Sequence, residues 1–327
     1  MLSRVGDAIY WMSRYIERAE NVARFVNANF HMILDLPQEQ EQWMPLVSTT
    51  GDEELFAERH GAPTRENVVR FLTFDTAYGS SILASLRAAR ENARSVREHI
   101  TTEMWEQLNK FFLDVREAAS GTAPLDSPHE FYSGIMRASH QFSGTTDATM
   151  SHNEGWHFAT LGRLLERADK TSRILDAKYF VLLPSVSYVG TVYDDIQWAA
   201  VLRSTSALQM YRKRYGQISP SRVVDFLMLS SDFPRAVRFC LGGAEDSLRA
   251  ISGTARGTFC NRAEQRLGQL RAELDYALID DVISIGLHEF VDAFQNKLNG
   301  VGEAIFDTFF AVRPTGEGAK SELKERA

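Results

Sequence analysis

Charged side chains that could grip an anion lie at helical spacing in two places. Arg14, Glu17, Arg18, Asn21 and Arg24 are three or four residues apart, so on a helix they share one face. Arg163, Glu166, Arg167, Lys170 and Arg173 repeat the arrangement further along. Arginine's planar fork binds carboxylate or phosphate through two parallel hydrogen bonds, and a glutamate among arginines can orient them or hold an amine. If the two stripes met, a carboxylate from each would face arginines from the other. The plainer outcome is an interhelical salt-bridge network that specifies packing. The functional outcome is a cleft for an anionic group, and residue types alone favour the network.

These stripes sit inside an internal repeat. Glu17-Arg18-Ala19-Glu20 is answered by Glu166-Arg167-Ala168-Asp169, 149 residues on. Gln42-Trp43 is answered by Gln197-Trp198, and Val68-Val69-Arg70-Phe71-Leu72 by Val223-Val224-Asp225-Phe226-Leu227, both 155 residues on. A weaker pair, Glu91-Asn92 and Glu245-Asp246, follows in the same order. Matches in order at a nearly fixed spacing point to a tandem duplication, with an insertion of about six residues between 177 and 196. The expected organisation is a first helical half over 1–150, a second over 151–312 and a disordered tail over 313–327.

Composition narrows the partners. The 327 residues carry a net charge of −7, which argues against a general nucleic-acid binder. Seven of the 36 basic residues are lysine, so 29 are arginine, the residue suited to fixed bidentate pairing. Two cysteines, Cys240 and Cys260, are too few for a zinc or redox motif and read as two buried thiols. Arg4, Asp7 and Arg14 interrupt any secretory apolar run, and no stretch has the length to span a bilayer. The expectation is a cytoplasmic chain with no membrane partner.

The elements that must position the stripes are all helical. Ile16, Ala19, Val22, Ala23 and Val26 form an apolar stripe beside the charged one, in a helix expected from Ser3 to Asp35 and stopped at Leu36-Pro37. Residues 37–63 read as irregular, with a short turn over 42–47. Helices are expected over 64–74, 79–100 and 102–119, and another begins at Ser127-Pro128-His129-Glu130, a cap, a first-turn proline and a capping-box glutamate. The repeat helix spans 154–180, and a connector follows over 184–190. Further helices fit 194–214, 220–230 (with Ser219 as cap), 233–251, 257–277 and 281–311. The fold class is all-α: a large helical bundle of two tandem-duplicated halves related by a pseudo-two-fold.

Other candidates weigh less. His152-Asn153-Glu154-Gly155-Trp156-His157 invites a metal reading, but a spacing of five sets the histidines on different helix faces, so Glu154 and Trp156 more plainly cap and anchor the repeat helix. Arg87, Arg90, Arg94 and Arg97, broken by Glu91 and Glu98, form a solvated or ion-paired face. Arg235 and Arg238 begin a helix and give a weak hint of oxyanion binding. Tyr211-Arg212-Lys213-Arg214-Tyr215 is a single basic cluster, weak evidence for nucleic acid in an acidic chain. No phosphate-binding glycine loop, nucleophile elbow or zinc motif is present in the sequence.

At these repeats the chain resembles the alpha-E domain family, bacterial helical proteins named for a Glu-Arg motif. The likeness rests on Tyr10-Trp11-Met12, Glu17-Arg18-Ala19-Glu20-Asn21, Ala89-Arg90-Glu91-Asn92-Ala93-Arg94, Glu154-Gly155-Trp156, Glu166-Arg167-Ala168-Asp169 and Phe233-Pro234-Arg235, and covers residues 1–312. The resemblance implies company with a separate ATP-grasp protein and with transglutaminase-like or proteasome-like peptidases. ATP and Mg would then be bound by that partner, with no cofactor in this chain.

Three readings follow. In the favoured one the chain is an accessory or substrate-binding subunit of a peptide-forming or peptide-modifying system, its cleft taking an anionic peptide end or acyl phosphate. Arg14, Arg18, Asn21, Arg24, Arg163, Arg167 and Arg173, with Trp11 and Trp156, would bind, and Glu17 and Glu166 would orient. The second is a standalone amide-forming or hydrolysing enzyme with Glu17, Glu166 or Glu154 as base. The third is a purely structural scaffold.

Overall fold

Apolar side chains at three- and four-residue spacing run through the long segments, and the chain answers with helices. A computed structural model describes residues 1–34, 43–181 and 192–311, and among these sixteen helices and no strand occur. The first eight are α1 (Ser3–Leu34), α2 (Met44–Ser48), α3 (Glu53–His60), α4 (Arg65–Phe74), α5 (Ile82–Ser95), α6 (Thr102–Ala118), α7 (Ala123–Asp126) and α8 (Pro128–Thr149). The second eight are α9 (Glu154–Val181), α10 (Val192–Ser204), α11 (Leu208–Tyr215), α12 (Pro220–Leu229), α13 (Val237–Ser252), α14 (Arg262–Asp275), α15 (Ile279–Ile285) and α16 (Leu287–Ile305). A π-helical turn, Phe306–Phe310, closes the series. The expected helix stop at Leu36-Pro37, the connector over 184–190 and the tail from 313 lie outside the described residues.

Two helices form the centre. α1 and α9, which carry the two charged stripes, make the most extensive helix–helix contact. Around α1 pack α5 and α8, with α6 bridging those two; around α9 pack α13 and α16, with α14 bridging them. Buried apolar residues line both central helices, from Ile9, Ile16 and Val26 on α1 to Leu161, Leu165 and Leu175 on α9. Each such side chain contributes about 1.5–3 kcal/mol on removal from water. Gly162 permits the close approach of the pair. A Cβ there would overlap the Tyr10 carbonyl oxygen of α1, a backbone atom that cannot turn aside.

Several expected boundaries move for local reasons. Within the stretch expected to be irregular, Glu53–His60 is a helix. Glu53 and Glu54 lie in the first turn and Arg59 and His60 in the last, which suits the helix dipole, but only Phe56 is buried, so no apolar stripe announces it. The single helix expected over 194–214 is two, broken at Ser206, whose φ is +53°. Likewise the helix expected over 281–311 is divided at Gly286, whose φ of +106° suits a residue without Cβ. α8 starts at Pro128 as expected, yet Ser127, which also ends α7, makes no side-chain cap; nor does Ser219 before α12. Cys240 is buried, whereas Cys260 is exposed rather than buried. No helix among the described residues is long and apolar enough to cross a membrane.

Candidate functional site

The two charged stripes meet along the α1–α9 contact. Arg18 donates from Nε to Glu166 Oε1 at 2.6 Å and from Nη2 to Oε2 at 3.1 Å. Arg14 adds an Nε bond to Glu166 Oε2 at 2.8 Å, and Lys170 lies 3.7 Å from the same carboxylate. In the opposite direction, Arg167 donates to Glu17 through Nε at 2.9 Å and Nη2 at 2.8 Å. Each glutamate is therefore clasped by the arginine that follows the other glutamate in sequence. Both are buried, with side-chain exposures of 0% for Glu166 and 1% for Glu17.

Electrostatics keep both glutamates charged. Burial works to raise the Glu166 carboxyl, but Arg18, Arg14 and Lys170 outweigh it and hold it well below the ordinary range. Burial opposes Glu17 likewise, and Arg167 and Arg235 hold it down. Isolated burial of either carboxylate would be prohibitive, so these guanidinium partners are what allow a charged core here.

Around Glu17 the network closes on itself. Arg235, buried with 7% side-chain exposure, donates to Glu17 Oε1 at 3.1 Å, to Asn21 Oδ1 at 2.9 Å and to Glu20. Asn21 donates in turn to Glu17 Oε1 at 2.9 Å. Glu20 also takes Ser139, His140 and, at 2.8 Å, Arg24 Nε, while Arg24 reaches Ser206. Burial opposes the Glu20 charge, and Arg235, His140 and Arg24 hold its carboxyl well below the ordinary range. Glu20 and Arg235 were absent from the expected site. Arg235 follows a proline in a loop and carries no helical-spacing signal, whereas Glu20 stands in the repeated phrase at helical spacing, three residues after Glu17 and four before Arg24.

Around Glu166 the network stays open. Arg14, Arg18, Asn21, Lys170, Arg173 and Ser80 are among the residues lining a cavity of about 310 Å³. Arg173 holds Asp169 with both carboxylate oxygens 3.0 Å from Nε, and Lys170 lies 3.1 Å from the same group. Among the described residues Arg18 Nη1, Arg14 Nη2 and both terminal nitrogens of Arg173 make no hydrogen bond, so donors remain for a ligand. Through Arg14, Asp169 and Asn299 this cavity adjoins a second of about 560 Å³, lined by Tyr10, Trp11, Leu298, Phe306 and Phe310 and edged by Glu303 and Asp307. Arg14 lies 4.9 Å over the Trp11 ring, tying the two together.

Three expected residues stand apart. Glu154 pairs with the Met1 ammonium at 2.6 Å. Trp156 stacks on His152 at 4.1 Å and donates to Asp147. Arg163 does not reach Glu17 as Arg14 reaches Glu166: its Nε is buried without a partner among the described residues, and burial, then repulsion from Arg167, lowers its pKa. Arg235, not Arg163, is the arginine that joins Arg167 at Glu17. No group of three or more His, Cys, Asp or Glu side chains among the described residues could hold a metal.

Over 295 residues the chain is 22% identical to uncharacterized protein Mb2597 of Mycobacterium bovis and to uncharacterized protein Rv2567 of Mycobacterium tuberculosis. Each match covers 83% of this chain but 32% of the relative, so the chain spans about a third of the length of the curated relatives it matches. No solved structure matches. Residues 1–310 match the model of the Alpha-E family, described as a predicted alpha-helical domain with a conserved ER motif. With Glu17-Arg18 and Glu166-Arg167 clasping each other at its centre, the chain belongs to the Alpha-E family.

Proposed function

We propose that this chain is an accessory or substrate-binding subunit of a cytoplasmic peptide-forming or peptide-modifying system, working with a separate ATP-grasp ligase and a transglutaminase-like or proteasome-like peptidase. The observation that carries the binding role is the open cleft above Glu166, where four cations face one cavity with donors unspent. An anionic peptide end or an acyl phosphate is the ligand such a set of donors fits. ATP and Mg belong to the partner in this reading. The greater length of the mycobacterial relatives supports it indirectly, since there a unit of this kind is accompanied by roughly twice as much further chain.

The helix order also supports a duplicated ancestry with pseudo-two-fold halves. α9 to α16 repeat the sequence of packing partners made by α1 to α8, and the Glu-Arg exchange is reciprocal. In this proposal Glu17 and Glu166 are architecture that aims the arginines. A buried carboxylate held charged by guanidinium groups is a weak base, so neither suits proton abstraction at neutral pH.

Native mass spectrometry on the protein gently purified from its host tests the subunit role. A co-purifying ATP-grasp or transglutaminase-like protein is expected. Bare protein, together with no effect of adding it to the ligase reaction, would overturn the proposal.

A further inference from the structure

We infer that the cleft between α1, α9 and α16 is one binding site for a short zwitterionic peptide with an apolar side chain, and that Arg235 permanently fills its counterpart in the other half. This rests on the anion-binding reading above and specifies its ligand. The two adjoining cavities differ in character. Arg14, Arg18, Lys170 and Arg173 make the first cavity cationic, while the second carries acidic groups, Asp307 and Glu303, the latter 3.8 Å from Arg266. The second cavity is also lined by Trp11, Leu298, Phe306 and Phe310, of which Phe306 is 51% exposed, so it offers an apolar wall as well. A free phosphate would satisfy the cationic end and leave the aromatic wall and the acidic rim without a role. A peptide with a free C-terminal carboxylate, an aromatic or aliphatic side chain and a free ammonium matches all three. The combined space falls in the range of small-molecule sites.

The single stoichiometry comes from one residue pair. Tyr78 stacks on Phe71 at 4.2 Å, and Phe233 packs on Phe226 at 4.8 Å, the same pairing 155 residues later. Two positions beyond each aromatic stand Ser80 and Arg235. Arg235 inserts its guanidinium among Glu17, Glu20 and Asn21 and completes that network from within the chain. Ser80 is too short to do so and lies on the wall of the open cavity.

Calorimetric titration of the full chain with alanyl-phenylalanine, its C-terminal amide, its N-acetyl form and inorganic phosphate tests this. The free dipeptide should bind one per chain. The amide should bind at least about tenfold more weakly, the loss of a charged hydrogen bond, and phosphate more weakly than the dipeptide. Ser80→Arg should place a guanidinium in the open cleft and weaken dipeptide binding about tenfold or more, with Lys170→Gln as the second variant should the first fail to fold. Equal affinity for acid and amide, phosphate binding as tightly as dipeptide, two equivalents bound, or no binding by any probe would overturn the inference. Dipeptide binding needs no partner protein. A co-purifying ligase with no dipeptide binding would sink this inference alone, and dipeptide binding by a protein that purifies bare and leaves the ligase reaction unchanged would sink the subunit role alone.

Discussion

Arg167 clasps Glu17 with two nitrogens at 2.9 and 2.8 Å, and Arg18 clasps Glu166 in the reverse direction at 2.6 and 3.1 Å. Both forks are short, paired and largely shielded from water, the geometry in which a salt bridge costs most to break. Its net worth against an apolar replacement is a separate matter, because four charges had to be desolvated to build it.

Removing one carboxylate therefore has a large effect. Glu166→Gln leaves Arg14 and Arg18 buried against a neutral group and is expected to cost about 3–5 kcal/mol. Urea denaturation measures it. A change under about 1 kcal/mol would mean that the reciprocal clasp is not what holds α1 to α9.

Arg163 behaves in the opposite sense. It is largely buried and its Nε lacks a partner, so Arg163→Met retains the apolar stem and removes a charge that burial and Arg167 oppose. Stability is expected to stay level or rise, in contrast to Arg14→Met, which strips Glu166 of a partner. Melting temperatures of the two variants side by side decide the matter; a large fall for Arg163→Met would show that its guanidinium has an unrecognised role.

Gly162→Ala tests the helix crossing. The added methyl group would meet the Tyr10 carbonyl oxygen, and the main chain of α1 must shift to admit it. Overpacking of this kind costs about 1–3 kcal/mol. Gly144→Ala in α8, where a Cβ meets nothing within 4 Å, serves as the control and is expected to be neutral or slightly stabilising.

Acid should unfold the protein through its buried glutamates. Glu17, Glu20 and Glu166 have carboxyls held below the ordinary glutamate value of 4.5, so their contribution is fully present above that pH. It is lost as pH falls through their folded-state values, because the unfolded chain then binds more protons. Denaturation midpoints measured from pH 7 down to pH 3 should be flat first and then drop below about pH 4.5. A midpoint that stays level through that window would contradict the charged state of the core.

The two thiols should react differently. Burial pushes the Cys240 thiol up to about 12, while Cys260 is exposed. A thiol reagent at neutral pH is expected to label one cysteine per folded chain and two after unfolding. Rapid labelling of both in the folded protein would place Cys240 at the surface.

The central helices were legible in advance because they carry dense, regular signals. The apolar stripe of α1 and the charged stripe beside it share one period, and the same phrase recurs in α9. α3 was not legible, since Phe56 is its one buried residue and a helix held by its ends leaves no stripe. The breaks at Ser206 and Gly286 were equally hidden: each is a single backbone dihedral set by the surrounding packing.

By itself the sequence determined that the chain is helical, that two Glu-Arg stripes exist and that their residue types suit mutual clasping. Side-chain periodicity and charge type are properties of the chain written in order. Only the tertiary structure decided which arginine takes which carboxylate. Arg235 reaches Glu17 from the loop after α12 while Arg163 does not, and beside Glu166 a cavity lined in part by Ser80 stays open. Distances between residues far apart in sequence follow from how helices cross, which a local pattern does not encode. That is why the duplicated phrase reads as two equal sites, and the folded chain has one closed network and one open cleft.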